Sequence, residues 1–355
     1  MTKVLIVVNE LLNTCGISKH LLYFLNEMQV QREFEFSILC GGGDAINAYK
    51  NLCKEIIVNE KIKHENRSYL NYFISIVNVV SLIKKNNYKI IHSHTHYTAN
   101  MSHLACKFTK ATDIQTIHGV IPEIGKLNHF AGSFIICVNE HVLDYIKENN
   151  FKQEKKIKLI HCGIKSINTS LKANDNTLRI LAASRIVPEK GLDVFIKAIA
   201  MLPISVREKA EFIIAGKGPY EKEIKKINNE LGTKVKFIGE VSDLTEILKT
   251  THIFVLPTVS DSEGLPLTLI EAALTKNLII SSRYRGISPV FSETLESLLF
   301  EKGNIQELAD KIQHSIKNYS KYQNTIDSIF DKVSKEFSIN KMINEITNLY
   351  NDTAL

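Results

Sequence analysis

At 355 residues the chain has room for two domains, each with a core of its own. Its apolar fraction of 44% and charged fraction of 23% are those of a soluble globular protein, and no stretch reaches the roughly 18 uninterrupted apolar residues of a membrane span. The net charge of +6 lies entirely in the first half, where residues 1–168 hold 20 Lys and Arg against 14 Asp and Glu, while residues 169–355 hold 24 of each. That asymmetry points to peripheral contact of the first half with an anionic membrane. Aromatic–basic RNA-binding motifs are absent, so no nucleic acid partner is expected. The start, MTKVLIVVNELL, has too short an apolar run for a signal peptide. Six cysteines stand singly with no CxxC pair, which reads as reduced thiols in a cytoplasmic protein.

In chain order, residues 3–8 are predicted as a strand, and residues 18–28 as a helix from the spacing of Leu21, Leu22, Phe24 and Leu25. Gly16, at the turn between them, would let a phosphate approach backbone N–H groups. There is no GxGxxG, so a dinucleotide fingerprint is not supported. Residues 36–39 form a second strand, and Gly41, Gly42 and Gly43 a turn without chemistry. Residues 68–85 read as an apolar helix interrupted by Asn71, Ser75, Asn78 and Ser81, hence core packing, with Lys84 and Lys85 within reach of lipid headgroups. His92, His94 and His96 then alternate after an apolar strand, a pattern open to metal ligation or to packing. Residues 114–117 form a strand ending in His118 and Gly119, and a histidine at a strand end is a candidate for function. Residues 120–132 form the loop that follows. Strands at 134–138 and 158–161 close this half, Gly163 turns the chain, and the polar stretch SINTSLKANDNT, residues 166–177, is a linker.

The second half opens in the same way. A strand at 179–183 runs into SRIVPEKG, which places Arg185, Lys190 and Gly191 ahead of a helix. Two cations at a helix start are repelled by its positive end unless an anion joins them. A planar Arg fork and a Lys point charge divide phosphate binding in a familiar way. Strands at 211–216 and 235–239 follow, the second carrying Ile238. A strand at 253–256 leads into LPTVSDSEGLPLTLIEAALTKN. Pro266 is expected at the first helical position, and the free N–H groups of that first turn suit a phosphate. Gly264 has no Cβ, so a ligand can come close. Asn277 is expected to stop the helix in a left-handed conformation. A last helix, capped by Ser338, puts Ile339, Met342, Ile343, Ile346, Leu349 and Tyr350 on one face.

Glu263 and Glu271 invite a glycosidase reading, but eight residues at about 1.5 Å each separate them by roughly 12 Å. A glycosidase pair needs about 5–5.5 Å for retention or about 6.5–9.5 Å for inversion. Two carboxylates holding two ends of one ligand fit better. The segment EGLPLTLIE followed by AA, with its flanking P-T-x-x-S-x-S-E-G, resembles the signature of the retaining glycosyltransferases of family 4, also called group 1, which have the GT-B fold. RIVPEKG resembles that family's diphosphate clamp, IHSH its I-H-x-H strand, and TIHG the position whose His lies beside the donor sugar. In the turn before the first helix Cys15 replaces the first of the family's usual two glycines, ahead of Gly16. Cys162 and Lys165 depart from the family's Asn-Gly-Ile-Asp.

The resemblance implies an α/β chain of two Rossmann-like domains facing a cleft, at 1–168 and 178–335, with a linker at 169–177 and a terminal helix, 336–355, returning to the first domain. It implies a catalytic group of His118, Arg185, Lys190 and Glu263, and a donor contact made by Gly16, Ile238, Gly264, Leu265, Pro266, Leu267, Thr268 and Glu271. The expected substrates are a nucleotide-sugar donor, with uridine rather than guanosine, and a saccharide or lipid-linked saccharide acceptor. No metal or other cofactor is expected. Three alternatives stay open. A sugar-nucleotide epimerase shares the fold, a catalytically silent partner subunit would only bind donor, and a metal hydrolase could be built on His92, His94 and His96.

Overall fold

The computed structural model describes residues 1–120, 130–148, 156–168, 177–261 and 264–353. The chain divides into two compact units, Met1–Lys165 with Phe337–Leu355, and Ser166–Glu336. The first unit runs β1 Thr2–Val7, α1 Gly16–Gln31, β2 Phe34–Cys40, β3 Ile56–Val58, α2 Tyr69–Asn86, β4 Ile90–Ser93, α3 His96–Cys106, β5 Thr112–Ile117, β6 Phe134–Cys137, α4 Glu140–Glu148 and β7 Ile157–Leu159. Its seven strands are parallel in the order β3-β2-β1-β4-β5-β6-β7. Strands covered on both faces read as continuous apolar runs, and Val4 to Val8 are all essentially unexposed.

The second unit runs β8 Leu178–Ala183, α5 Leu192–Met201, α6 Ile204–Arg207, β9 Ala210–Ala215, α7 Glu221–Leu231, β10 Lys236–Gly239, α8 Leu244–Thr250, β11 Ile253–Leu256, α9 Leu267–Leu274, β12 Leu278–Arg283, α10 Pro289–Thr294, β13 Leu299–Glu301, α11 Ile305–Lys317 and α12 Gln323–Glu336. Its six strands are parallel in the order β10-β9-β8-β11-β12-β13. The strand order therefore reverses direction at β1/β4 in one unit and at β8/β11 in the other. Ligands of open parallel sheets bind at such switch points, outside the carboxyl ends of the strands.

The last helix, α13 Ile339–Thr353, belongs to the first unit. The Ile164 N–H donates to the Phe337 carbonyl at 2.9 Å, and the Ile339 N–H to the Ile164 carbonyl at 3.2 Å. Gly163 passes so close to this crossing that a Cβ would lie 2.6 Å from the Ile339 Cα. All six of the expected apolar residues of α13 are buried, in one core with Phe24, Leu25 and Met28 of α1.

Two local expectations are corrected. The left-handed residue after α9 is Lys276, with φ 55°, not Asn277. Asn277 is buried, and its amide donates to the Leu248 and Ala272 carbonyls, at 3.2 and 3.1 Å, so it serves the chain by satisfying carbonyls. The reading of α2 as a core helix holds for one face only, that of Ser75, Ile76, Val79 and Ile83. The opposite face exposes Tyr69 at 89%, Leu70 at 70%, Phe73 at 62% and Val77 at 67%. The six cysteines are free, and burial pushes the Cys137 and Cys162 thiols up to about 12. Among the described residues no helix is long and apolar enough to cross a membrane.

Candidate active site

In the first unit the switch point lies between the loop after β1 and the start of α3. The loop is held from both sides, since the Leu12 N–H donates to Ser18 Oγ at 2.9 Å and Thr95 Oγ1 donates to Asn9 Oδ1 at 2.9 Å. Gly16 is the first residue of α1, and a Cβ there would meet nothing within 4 Å. Open space beside the first N–H groups of a sixteen-residue helix suits an anion.

Behind this loop stands a group of histidines. His92, on β4, uses both ring nitrogens, with Tyr350 Oη and Thr116 Oγ1 each at 2.7 Å. His94, one residue past β4, has Nδ1 3.1 Å from Nε2 of His118, just beyond β5. His20 of α1 sets its ring edge-on to His118, with centroids 4.9 Å apart. Burial pushes His20 down to about 4 and His92 to about 3. Burial first, then the neighbouring rings, holds His94 and His118 well below the usual imidazole range. All four are therefore neutral at pH 7. Because His94 occupies Nε2 of His118, Nδ1 is the nitrogen that, among the described residues, this partly exposed ring has left for a ligand.

The alternating trio does not converge, because His96 starts α3 and reaches Gln115, its Nδ1 3.3 Å from Nε2. Nitrogens of His20, His94 and His118 do lie within 4.8 Å of one another. Neutral imidazole is the ligand form, and three such nitrogens could hold a transition metal. The 3.1 Å hydrogen bond between two of these rings already takes a lone pair that a metal would need. The sequence reading missed His20, which is four residues, about one turn, after Gly16 on the buried face of α1. That spacing was the available signal.

In the second unit the switch point joins the loop after β8 to the loop after β11. Arg185 is exposed on the first loop, and Lys190 closes the 3-10 turn Pro188–Lys190. Gly191 has φ +64°, and a Cβ on it would stand 2.0 Å from the Pro257 carbonyl oxygen. No other residue fits there. The Glu189 carbonyl accepts from the Val259 N–H and from Thr258 Oγ1, both at 3.0 Å. The stretch carrying Arg185 and Lys190 is thus bound to the stretch that leads to α9. From the other side, the Ile186 N–H donates to the Lys217 carbonyl at 2.8 Å, which fixes the GKGP turn against the same loop.

Asp261 holds the second loop by an ion pair with Lys302 and by accepting the Arg285 N–H at 3.1 Å. The Lys302 ammonium keeps its carboxyl below the usual range. Glu263 lies outside the described residues. Gly264, Leu265 and Pro266 lead into α9, and Pro266 is its N-cap, extended at φ −67° and ψ 125°, rather than its first helical residue. Its carbonyl accepts the Leu269 N–H at 3.0 Å. The N–H groups of Leu267 and Thr268 therefore stand at the open end of α9. Glu271, in the second turn, is completely enclosed. Ile238 is the bulged residue of β10, out of register with β9, as Phe237 pairs with Ile214 and Gly239 with Ala215. Its side chain is 42% exposed.

Two family profiles match, glycosyltransferase family 4 over residues 14–166 and glycosyl transferases group 1 over residues 164–330. An Escherichia coli UDP-Gal:alpha-D-GlcNAc-diphosphoundecaprenol alpha-1,3-galactosyltransferase is 23% identical, over 93% of this chain and 92% of its own. A Campylobacter jejuni N,N'-diacetylbacillosaminyl-diphospho-undecaprenol alpha-1,3-N-acetylgalactosaminyltransferase is 25% identical, over 69% of this chain and 73% of its own. The crystal structure of Anabaena HepE with UDP-glucose superposes with a TM-score of 0.84 at 16% identity, covering 99% and 100% of the two chains. The chain is a group 1 glycosyltransferase of the GT-B type.

In this transferase Arg185, Lys190, Gly264, Leu265, Pro266, Leu267, Thr268 and Glu271 fall on adjoining segments of one switch point, and Ile238 on the edge strand of the same sheet. Gly16 falls at the switch point of the other unit, and His118 one strand beyond it, just after β5. The departures at Cys15 and Cys162 are absorbed locally. Cys15 is the extended N-cap of α1, at φ −99° and ψ 124°, and Cys162 is a buried thiol.

Proposed function

We propose that the transferase moves a hexose, with retention, from a nucleoside diphosphate sugar to a hydroxyl of a saccharide or lipid-linked saccharide. The donor base is uracil rather than guanine, no metal takes part, and the setting is surface polysaccharide synthesis at the cytoplasmic face of a membrane. The observation that carries this reading is the Glu189 carbonyl, which ties the two cations of the first loop to the segment entering α9. Preorganised cations and helix N–H groups aimed at a departing diphosphate lower the barrier to its departure. The E. coli relative is named for UDP-Gal, both curated relatives for diphosphoundecaprenol-linked sugars, and HepE was crystallised with UDP-glucose. These support the donor and acceptor classes.

In this reading the acceptor oxygen bonds to the anomeric carbon on the face from which the diphosphate leaves, and the acceptor proton passes to the departing phosphate oxygen. Arg185 and Lys190, with the N–H groups of Leu267 and Thr268, take up the charge that develops there. Glu263 holds sugar hydroxyls, Glu271 the ribose, Gly16 leaves room for phosphate, and His118 borders the reacting carbon as a neutral hydrogen-bond partner through Nδ1. The cations fill the place of a metal.

The test is a thermal-shift screen of UDP, GDP, ADP and their sugars, with and without EDTA. Ligand at 100 times its Kd adds about 2.7 kcal/mol of stability. UDP compounds are expected to raise the melt equally in EDTA, and Lys190→Ala to abolish the shift. A response that needs metal, or one that Lys190→Ala leaves intact, contradicts the reading. Turnover of donor without acceptor would instead indicate an epimerase.

A further inference from the structure

The exposed side of α2 is unlike the rest of the surface. Tyr69, Leu70, Phe73 and Val77 lie one helical turn apart or adjacent on it, and none is less than 62% exposed. A solvent-facing helix side of this kind is normally polar, and a contiguous apolar patch marks a contact. The same face ends in Lys84 and Lys85, both exposed and held in no ion pair among the described residues. Within the stretch of chain that builds it the charge has a single sign, with Glu60 and Glu65 on the turns just ahead of it. From Asn66 to Thr112, which spans α2, β4 and α3, the sequence contains no Asp or Glu, and Arg67, Lys84, Lys85, Lys89, Lys107 and Lys110 supply six cations. All six are exposed, and so is Phe108 beside Lys107.

We infer that this face of α2 is a docking surface for an anionic lipid leaflet, with Tyr69, Leu70, Phe73 and Val77 entering the headgroup boundary while the lysines and Arg67 meet lipid phosphates. An interfacial helix buries its apolar side about 5–10 Å deep, which two turns of side chains supply, and basic residues add attraction to anionic headgroups. Aromatic side chains prefer this boundary because one end is apolar and the other tolerates water. A second copy of the chain is the poorer occupant. Six exposed cations against the flanking Glu60 and Glu65 leave the face net positive, which favours an anionic lipid surface over a second, equally positive copy. The inference deepens the proposed lipid-linked acceptor by naming the face that meets the lipid.

The experiment is co-sedimentation of the full-length protein with vesicles of phosphatidylcholine alone and with vesicles that also contain phosphatidylglycerol. Wild type is expected to bind the phosphatidylglycerol vesicles, less so as salt is added, and not the neutral ones. The double variants Phe73→Ser with Val77→Ser, and Lys84→Gln with Lys85→Gln, should each weaken binding at least about five-fold without changing the melting temperature. The inference fails if wild type ignores the anionic vesicles or if both variants bind as wild type does. It also fails if light scattering finds a dimer that the Phe73/Val77 variant dissociates, which would give the face to a second copy. Neither donor nor acceptor enters the assay. A negative result therefore leaves the nucleotide-induced thermal shift, and the transferase reading with it, untouched.

Discussion

His20 shows how a single residue can be structurally costly and still sit where chemistry is expected. Its Nδ1 is buried without a hydrogen-bond partner among the described residues, and its ring faces His118. Burial lowers it from the usual 6.5 to about 4, so below pH 6.5 the unfolded chain takes a proton that the folded chain refuses. Stability is thus full above 6.5 and falls as pH drops towards 4, by up to about 3 kcal/mol for this one ring. His92, lowered to about 3, adds to the same slope. His20→Leu is therefore expected to leave the melting temperature near neutrality almost unchanged and to make the acid side of its pH profile shallower. An unaltered slope would show that the ring is not held neutral by burial. The sequence made His118 visible through its place at a strand end. For His20 the one signal was its place a turn after Gly16, which puts it near the helix start without saying that His94 and His118 face it. Glu189 was equally hidden as the tie between two loops, since it acts through its main-chain carbonyl, which no residue type encodes.

At the scale of the element, periodicity was a sound guide to existence and a weaker one to surroundings. The apolar spacing of α13 was sufficient to assign its buried face, and Leu349 has no exposure at all. Leu349→Ala should cost about 2–5 kcal/mol, measured by chemical denaturation, because the cavity would open in the core shared with α1. A loss below about 1 kcal/mol would mean that α13 is only loosely held. The same reasoning misjudged α2, where apolar residues occur all round the helix and composition cannot say which side the sheet covers. At the ends of α9 it erred by single residues. Pro266 and Asn277 were assigned by the conformations they tolerate, whereas the chain uses Pro266 as a cap and Asn277 as a donor to carbonyls.

For the whole molecule, alternating strands and helices made two parallel α/β sheets legible, and the motif positions made the switch points legible as binding places. What the sequence could not supply was the stitching between loops, which depends on contacts such as that of Thr258 with Glu189. If donor binding belongs to the second unit, two variants should separate cleanly. Leu349→Ala should lower the melt and keep its response to UDP, and Lys190→Ala should keep the melt and lose that response. Loss of the response in Leu349→Ala would mean that the nucleotide depends on the first unit as well. The return of α13 has a further consequence, for synthesis. Residues 166–336 must all leave the ribosome before the helix that covers Phe24, Leu25 and Met28 exists. At about 5–20 residues per second, that leaves the apolar trough of α1 open for on the order of ten to thirty seconds. Each nascent chain therefore passes through an interval as a client for chaperones, and a product that stopped ahead of Ile339 would never leave that state.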